Sequence, residues 1–479
     1  MHLMLDGTGP LHAQLTRALK SALITGLYGN GSRLPPTRLL ARELGVSRNT
    51  VLTAYEQLRA EGFVDGRIGS GSYVTSPLHA VAANDPQPFT SQPQSGYARR
   101  ARQFDEHARL PGRTMPGTRY AFQYGLPMVN PALVSAWGRE LARAAAYTSP
   151  HYPDTQGVPA LREAVCDYLA RRRGVQSTPD DILIVHGTQQ AMSLTARVLL
   201  DDADPVAIEE PQYSAMRQLL LIHGARLHGV PVDAEGLRCD LLPQHSPRLV
   251  CVTPSHQFPS GAVLSLGRRM ELLKYARHHQ SWIFEDDYDG EFRYDSKPLA
   301  ALRSLDQDGR VIYVGSFSKT LFPSLRIGYL VMPAALRSDF ITAKWAQDFG
   351  TSAIEQTALA SLMANGGFER HLRRITPILQ ERRKALLDGL RRLDGGRLDI
   401  ADSHAGMHLV VWLRDKTDAD GQAMIAHAQQ LGLGLHSIRP HYIDPPERAG
   451  LLMGYCGLSV AQIEEALVLF ERCLDAAYA

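Results

Sequence analysis

The sequence is poor in cysteine and contains no long apolar run. Its five cysteines are scattered over 479 residues without a C-x-x-C pair, which argues against a disulfide framework or a zinc site and favours a reducing compartment. No segment approaches the roughly eighteen apolar residues that span a membrane, and the first residues lack the basic segment and apolar core of a secretory signal. We therefore expect a cytoplasmic protein without membrane association.

The chain also lacks a large net charge, at +2, but its basic residues are unevenly distributed. Residues 1–78 carry eight Lys and Arg against five Asp and Glu, whereas the remainder carries 43 against 44. An N-terminal basic excess suits a nucleic-acid-binding module. At 479 residues the chain is too long for one compact core, so we expect two or three domains.

Residues 1–78 contain a helix-turn-helix pattern. Leucines that recur at every fourth position predict a first helix over Pro10–Gly26. Further on, Gly45 supplies a tight turn, and Ser47 is a suitable N-cap for a helix that begins S-R-N-T. These residue types suit base edges and phosphates in the DNA major groove, and the glycine-rich stretch after Gly62 is typical of a two-strand wing. A purely structural helical subdomain is the alternative, but the three features occur together and in order.

The motifs L-P-x-x-R, L-G-V-S-R-x-T-V and G-S-G resemble the winged helix-turn-helix of GntR-type bacterial regulators. The resemblance implies that residues 1–78 bind a double-stranded DNA operator. The DNA contacts that it implies are Arg38, Ser47, Arg48, Thr50, Arg67, Gly69 and Gly71. After this domain, residues 79–120 are rich in Pro, Gln, Ser and Ala without periodicity, which predicts a flexible linker.

Residues 121–479 alternate short apolar runs with amphipathic helical stretches, which predicts an α/β fold with a mostly parallel sheet. Functional residues are expected at the carboxyl ends of the strands. The predicted strands are Ile182–His186, Val206–Glu209, Arg248–Thr253, Ser281–Glu285 and Val311–Val314.

The loop after the last predicted strand combines a lysine with groups that bind phosphate. It reads G-S-F-S-K-T, and an arginine follows seven positions after the lysine. A desolvated lysine amine attacks aldehydes, and hydroxyls beside an arginine bind phosphate. The loop could therefore hold both ends of pyridoxal 5'-phosphate (PLP), although a lone S-x-S-K is more often a surface lysine in a serine-rich loop.

Earlier strand ends carry compatible groups. After the first predicted strand, Gly187, Thr188 and Gln189 open a helix whose N–H groups and hydroxyl suit a phosphate. After the second, Tyr213 is placed to stack on a flat ring, although such an aromatic residue usually belongs to the core. The fourth strand runs into E-D-D-Y-D-G-E, which fits a metal site, a solvated acidic patch or a carboxylate that faces a pyridine nitrogen.

This order of elements resembles the fold-type I PLP enzymes of the aminotransferase class, over Ala121–Ala479. Joined to the winged helix, the whole chain resembles MocR/GabR-type transcriptional regulators, with the specific motifs E-D-D-Y-D-x-E-F-R-Y and G-S-F-S-K-T-x-x-P-x-L-R-x-G-Y. The resemblance implies a multidomain chain, with a winged helix-turn-helix and an α/β fold-type I aminotransferase-like domain. It also implies PLP as cofactor and a head-to-tail homodimer.

The same resemblance implies a role for each matched residue. Lys319 would form the Schiff base (internal aldimine), Asp286 would face the pyridinium nitrogen, and Tyr288 would hydrogen-bond the ring hydroxyl. Tyr213 would stack on the ring, and Tyr152 would reach the phosphate of the neighbouring subunit. The phosphate would be held by Thr188, Gln189, Ser316, Ser318 and Arg326.

Two departures from true aminotransferases bear on activity. Their N-P-x-G motif is replaced by F-P-S-G from Phe258, so an amide that contacts the ring hydroxyl is missing. Leu452 lies about where an arginine that grips a substrate carboxylate is expected, with Arg439 and Arg448 as nearby candidates for that role or for structural and surface roles. We therefore expect a regulator that senses PLP or an amino compound through aldimine chemistry at Lys319. An active aminotransferase with a DNA-binding appendage and a merely structural PLP pocket are the alternatives.

Overall fold

The computed structural model describes residues 3–67, 71–75, 94–104, 116–128, 130–294 and 299–479. The chain divides into two compact units, Met1–Gln94 and Ser95–Ala479. Of the predicted positions, Gly69, the side chain of Arg67 and residues 79–93 and 105–115 of the linker lie outside the described residues.

The described part of the N-terminal unit consists of helices followed by a two-stranded antiparallel wing. The predicted first helix is confirmed, and Ser47 caps the third helix by accepting a hydrogen bond from the Thr50 N–H at 3.1 Å. The elements are α1 (Leu11–Ile24), α2 (Thr37–Leu44), α3 (Arg48–Ala60), β1 (Val64–Arg67) and β2 (Gly71–Val74). The core includes Leu15, Leu19, Val51, Tyr55 and Leu58, all of which are buried.

Helices and strands alternate through most of the large unit. Its described helices are α4 (Gly96–Ala101), α5 (Pro131–Tyr147), α6 (Pro159–Arg173), α7 (Gly187–Leu199), α8 (Ser214–His223), α9 (Leu266–His279), α10 (Arg337–Asp348), α11 (Ala353–Ala364), α12 (Gly367–Leu393), α13 (Asp418–Gln430) and α14 (Val460–Tyr478). Its described strands are β3 (Tyr120–Ala121), β4 (Ile182–Val185), β5 (Pro205–Glu210), β6 (Arg226–Asp233), β7 (Gly236–Leu237), β8 (Leu249–Val252), β9 (Trp282–Asp287), β10 (Val311–Ser316), β11 (Gly328–Val331), β12 (Leu398–Ala401), β13 (His408–Leu413), β14 (Leu433–Gly434), β15 (His436–Ser437) and β16 (Gly450–Gly454).

Within the described residues, eight strands form the central sheet, in the order β4-β11-β10-β9-β8-β5-β6-β7. The pairs from β10 to β6 are parallel, whereas β11 and β7 run antiparallel to their neighbours. The predicted α/β fold with a mostly parallel sheet is therefore confirmed, and the five predicted strands coincide with β4, β5, β8, β9 and β10. Parallel strands direct their carboxyl ends to one edge of the sheet, which is where the predicted functional loops meet.

Gly187, Gly315 and Gly328 allow three backbone segments to approach each other closely at that edge. A Cβ atom on Gly328 would lie 2.8 Å from the Gly315 carbonyl oxygen and 2.9 Å from the Gly187 Cα. Side chains larger than hydrogen do not fit between these segments. The first turn of α7 is thereby held directly against the ends of β10 and β11.

A second, antiparallel sheet with the order β12-β13-β16-β15 lies in the C-terminal part of the unit. Val410 on β13 and Leu452 on β16 pack with Phe258 from the loop after β8. This cluster joins the second sheet to the strand ends of the first. Within the described ranges, every helix is too short or too polar to cross a membrane.

A helix, α4, lies inside the segment 79–120 that was predicted to be a flexible linker. Ser95 caps this helix by accepting a hydrogen bond from the Ala98 N–H at 3.2 Å. Arg100 fixes the helix to α8, because its Nε donates to the Ile222 carbonyl oxygen at 2.9 Å. Arg100 thus forms tertiary contacts that the Pro/Gln/Ser-rich neighbourhood of this helix did not suggest.

Candidate functional site

A cavity of about 740 Å³ opens at the carboxyl ends of β9 and β10, next to the first turn of α7. It brings together residues from widely separated parts of the sequence. The predicted cofactor residues that line it are Thr188, Gln189, Tyr213, Asp286, Tyr288, Ser316, Ser318, Lys319 and Arg326. Tyr152 does not line it: this side chain is 87% exposed and lies against Phe349, with ring centroids 5.8 Å apart.

Lys319 presents its amine to this cavity from the loop after β10. Its Nζ donates a hydrogen bond to the Gly125 carbonyl oxygen at 2.5 Å. Burial lowers the pKa of the Lys319 amine, and the nearby Asp289 and Asp286 carboxylates oppose that shift. A partly desolvated amine with a depressed pKa is the form of lysine that reacts with carbonyl compounds.

Asp286 lies at the end of β9 and is 6% exposed. Burial and repulsion from Asp287 raise the pKa of its carboxyl to about 7, although Thr188 Oγ1 donates to it at 3.4 Å. A cation placed against Asp286 would lower this pKa again, because an opposite charge favours the ionised form. The site therefore suits a ligand with a protonatable nitrogen at this point.

The neighbouring acids have other partners. Asp287 accepts from Arg173 Nη2 and from Tyr313 Oη, each at 2.6 Å. Glu285 accepts from the backbone N–H groups of Leu302 at 2.7 Å and Arg303 at 2.8 Å. In the described ranges, no group of His, Cys, Asp or Glu side chains is arranged to hold a metal ion.

Groups that bind phosphate gather at the other end of the lysine loop. Arg326 has a left-handed backbone, with φ of +51°, and its Nη2 donates to the His186 carbonyl oxygen at 2.9 Å. Its guanidinium lies beside Gly187, where an added Cβ would be 3.2 Å from Nη2. The hydroxyls of Ser316 and Ser318 and the N-terminus of α7 share the cavity. A guanidinium, hydroxyls and free helical N–H groups together suit a phosphate.

The facing wall of the cavity is aromatic and was largely missed by sequence reasoning. Its lining includes Tyr124, Phe258 and His408. Burial and the neighbouring His256 lower the pKa of His408 to about 4, so this imidazole is neutral at neutral pH. Its Nε2 donates to the Pro259 carbonyl oxygen at 2.9 Å. These residues come from three separate segments with no shared motif, and only the altered F-P-S-G sequence singled out one of them.

A histidine contacts the tyrosine that was predicted to meet the ring hydroxyl. The His256 Nδ1 atom lies 3.0 Å from Tyr288 Oη and 2.9 Å from Asp289 Oδ2. Burial raises the pKa of Tyr288, and Asp289 and Asp286 add to the shift. A buried His–Asp pair thus orients this hydroxyl in a site that lacks the usual amide.

The region predicted to contain a carboxylate-binding arginine holds none in the cavity lining. Leu452 is fully buried and packs with Phe258. Arg439 pairs with Asp418 at 2.9 Å, and Arg448 pairs with Asp399 at 3.2 Å. Among the described lining residues, the Lys and Arg side chains are those of Lys319 and Arg326.

The predicted DNA contacts of the N-terminal unit are largely solvent-accessible. Arg38 and Arg48 are exposed on α2 and at the start of α3. Ser47 is exposed, and its Oγ lies 2.9 Å from the hydroxyl of Thr50, which is partly buried. Gly71 opens β2 with φ of +112°, a conformation that favours glycine.

Two sequence families match this chain. The aminotransferase class I and II family matches residues 127–467, and the gntR family of bacterial regulatory proteins matches residues 11–74. The chain is 37% identical over 466 residues to the probable rhizopine catabolism regulatory protein MocR of Rhizobium meliloti, covering 96% of this chain and 93% of that protein. It is 31% identical over 442 residues to the pyridoxine biosynthesis transcriptional regulator PdxR of Corynebacterium glutamicum, covering 92% and 91%.

Solved structures similar to this chain include aminotransferases. The α-aminoadipate aminotransferase LysN of Thermus thermophilus has a TM-score of 0.69 and 27% identity, and the match covers 79% of this chain and 98% of that one. The kynurenine aminotransferase of Pyrococcus horikoshii has a TM-score of 0.69 and 26% identity, covering 78% and 97%. The chain therefore belongs to the MocR-type transcriptional regulators of the GntR family, which carry an aminotransferase class I and II domain after the winged helix-turn-helix.

Proposed function

We propose that this transcriptional regulator uses its large unit as a PLP-holding sensor and not as a turnover catalyst. The aminotransferase class I and II domain indicates PLP as its cofactor. The cavity residues fit that molecule. Lys319 supplies a desolvated amine, and Asp286 supplies a buried carboxylate that can pair with a cation. Arg326 supplies a guanidinium beside hydroxyls at a helix N-terminus. Bound PLP supplies an electrophilic carbon on which one primary amine can replace another.

Each predicted cofactor residue has a place in this proposal. Lys319 holds the aldehyde end and Asp286 keeps the ring nitrogen protonated, while Tyr288 meets the ring hydroxyl and Tyr213 lies on the ring face. Thr188, Gln189, Ser316, Ser318 and Arg326 hold the phosphate. All of them line one cavity, which supports the assignment.

Tyr152 is assigned to the site of a second copy of the chain. It lies outside the cavity of its own chain and is 87% exposed, although it is a large aromatic residue. A head-to-tail homodimer would let its hydroxyl reach the phosphate of the neighbouring subunit. A Tyr152→Phe variant would then bind PLP more weakly than the wild type while keeping the dimer.

The aromatic wall is the observation that favours a sensor over an aminotransferase. An amino acid substrate needs a partner for its carboxylate, because a charge taken out of water is costly unless it is paired. Leu452 is buried against Phe258, and His408 is neutral. The proposed effector is therefore PLP itself or an amine without a carboxylate near the amino group. Efficient turnover of an amino acid with a keto acid would instead favour the aminotransferase.

The sensor role is tested by measuring operator binding with and without PLP and added amine. If an amine took the place of Lys319 on bound PLP, the freed side chain would form different contacts. A ligand shifts an equilibrium only by such differential contacts. We expect the wild type to change its operator affinity and Lys319→Ala to lose that response while it keeps its fold. An unaltered response in Lys319→Ala would refute the proposal.

DNA recognition is tested separately at α3. Arg48 is exposed at the first turn of the helix, where it can meet a base edge or a phosphate. If Arg48 reads a base, Arg48→Ala should weaken operator binding by about 1–3 kcal/mol in a titration at fixed salt. Arg59→Ala, in the last turn of the same helix, is the matched control. An unchanged affinity of Arg48→Ala would remove Arg48 from the set of contacts.

A further inference from the structure

Three residues of the cavity lining, Tyr97, Tyr124 and Gly125, lie outside both family matches, and Tyr97 is the one on a helix. Tyr97 lies on α4, between the matched residues 11–74 and 127–467. It shares the lining with Gln218, Leu219 and Ile222 of α8. An aromatic ring, two branched aliphatic side chains and one amide form an uncharged part of the same continuous cavity that contains Lys319.

Local contacts hold helix α4 against α8 and against the segment between α7 and β5. The Tyr97 ring meets the ring of His223 edge to face, with centroids 5.5 Å apart and planes at 79°. Arg100 donates to the Ile222 carbonyl oxygen at 2.9 Å and pairs with Asp202 at 3.0 Å. Asp202 is 75% exposed, so this ion pair adds little.

The His223 contact stays uncharged at neutral pH. Burial and the cations Arg197 and Arg100 lower the pKa of His223, which keeps its imidazole neutral. The contacts of α4 thus include a ring contact and a hydrogen bond to α8, and an exposed ion pair with Asp202, which lies between α7 and β5. A ligand that adds contacts to α4 therefore changes how firmly this helix is docked.

Part of the Tyr97 side chain is accessible to a ligand in the cavity. The residue is 48% exposed although it packs on His223. Helix α8 begins directly after Tyr213, which is the aromatic residue assigned to the cofactor ring, and its later turns carry Leu219 and Ile222. Tyr213 and Tyr97 thus line the same cavity, together with side chains of α8.

We propose that Tyr97 is a ligand-contacting residue, against which the apolar or aromatic end of a bound amine packs. This inference rests on the proposed function, since the amine is held at the Lys319 end of the cavity. The ligand class is a primary amine with an uncharged apolar tail. Because Tyr97 belongs to the helix within the predicted linker, the tail of the ligand bears directly on the docking of that helix to α8.

The test compares two amines on the full-length protein loaded with PLP. The probes are 2-phenylethylamine, which has an aromatic end, and ethylamine, which lacks one, and binding is followed by the change in cofactor absorption. Tyr97→Ala should weaken binding of 2-phenylethylamine about fivefold, in line with the loss of one aromatic contact, and leave ethylamine unchanged. Tyr97→Phe should behave as the wild type. Tyr147→Ala removes a tyrosine that is 83% exposed and outside the lining, and serves as the control.

A second readout follows the docking of α4 without using the cofactor spectrum. Tryptic cleavage after the arginines of α4 should slow in the wild type when 2-phenylethylamine is added, and Tyr97→Ala should lose this protection. Equal binding of 2-phenylethylamine by Tyr97→Ala and the wild type would overturn the inference while the proposed function stands. An equal loss for both amines would also overturn it. A wild type that takes up no PLP would overturn both.

Discussion

Two buried lysines of the large unit have opposite surroundings. Lys344 on α10 is fully buried, and its Nζ donates to both oxygens of Asp348 at 2.7 Å and to Thr351 Oγ1 at 3.0 Å. Lys319 faces the cavity, and its hydrogen-bond partner in the described part of the chain is the Gly125 carbonyl oxygen. Burial lowers the pKa of both amines.

The difference shows how the fold separates a structural lysine from a reactive one. A carboxylate in direct contact offsets the cost of burying the Lys344 charge and leaves the amine no free direction from which to react. Lys319 has only a neutral acceptor in contact and an open cavity beside it. Burial alone therefore does not distinguish the reactive lysine from the structural one. The distinguishing feature of Lys319 is burial without a carboxylate in direct contact.

The largest effect on stability is expected for Lys344→Ala. Removing this amine leaves Asp348 without its main partner, and breaking a buried pair typically costs about 3 kcal/mol of unfolding free energy. Chemical denaturation monitors the loss. Lys384→Ala is the matched control, because Lys384 also pairs with an aspartate four residues later but is 76% exposed. Similar small changes in the two variants would contradict the structural role of Lys344.

A smaller effect is expected for Asp286→Asn in protein freed of PLP. The folded-state pKa of Asp286, about 7, lies above its ordinary value of 3.8. The unfolded chain therefore binds fewer protons between these values, and this group makes stability fall as pH rises from about 4 to about 7. Asp286→Asn should remove that loss and be more stable than the wild type at pH 7 by on the order of 2 kcal/mol.

Melting temperatures of wild type and Asp286→Asn, measured from pH 4.5 to 8, test this expectation. Asp308→Asn, at an exposed aspartate, should follow the wild type across the range. If the difference in melting temperature between Asp286→Asn and the wild type stayed constant across this pH range, Asp286 would not have the raised pKa. The proposal that this buried carboxylate is kept for the cofactor nitrogen would then lose its support.

The smallest expected effect concerns the aromatic wall. Leu452→Arg places a cation beside Phe258 and should shift the preference of the PLP-loaded protein from 2-phenylethylamine toward phenylalanine by about fivefold, or about 1 kcal/mol. Leu452→Met is the control for packing and should keep the wild-type preference. An unchanged preference in a folded Leu452→Arg variant would place the carboxylate partner elsewhere.

The sequence was most informative where a function lies within one short loop. Ser316, Ser318 and Lys319 follow one strand, and Asp286 and Tyr288 end another, so their motifs could be interpreted without knowing the fold. The alternation of apolar runs likewise predicted the parallel sheet, because buried strands and amphipathic helices have different periods. The capping role of Ser47 was predictable for the same local reason.

Residues brought in by topology were not predictable in this way. Gly125, Tyr97 and His408 reach the cavity from segments with no motif, and only the fold places them beside Lys319. The helix within the predicted linker was missed because so short a helix depends on tertiary contacts, here the Arg100 hydrogen bond to α8. Tyr152 lies outside the cavity of its own chain, so its role depends on a partner subunit and stays a prediction.

The central claim is that Lys319, and not another buried lysine, holds PLP. Borohydride reduction of the PLP-loaded protein, followed by peptide mass mapping, tests it directly. The expected result is a phosphopyridoxyl label on the peptide that contains Lys319 and none on the peptide that contains Lys344, with the label lost in Lys319→Ala. Labelling of a different lysine, or no label after PLP is added, would contradict the account.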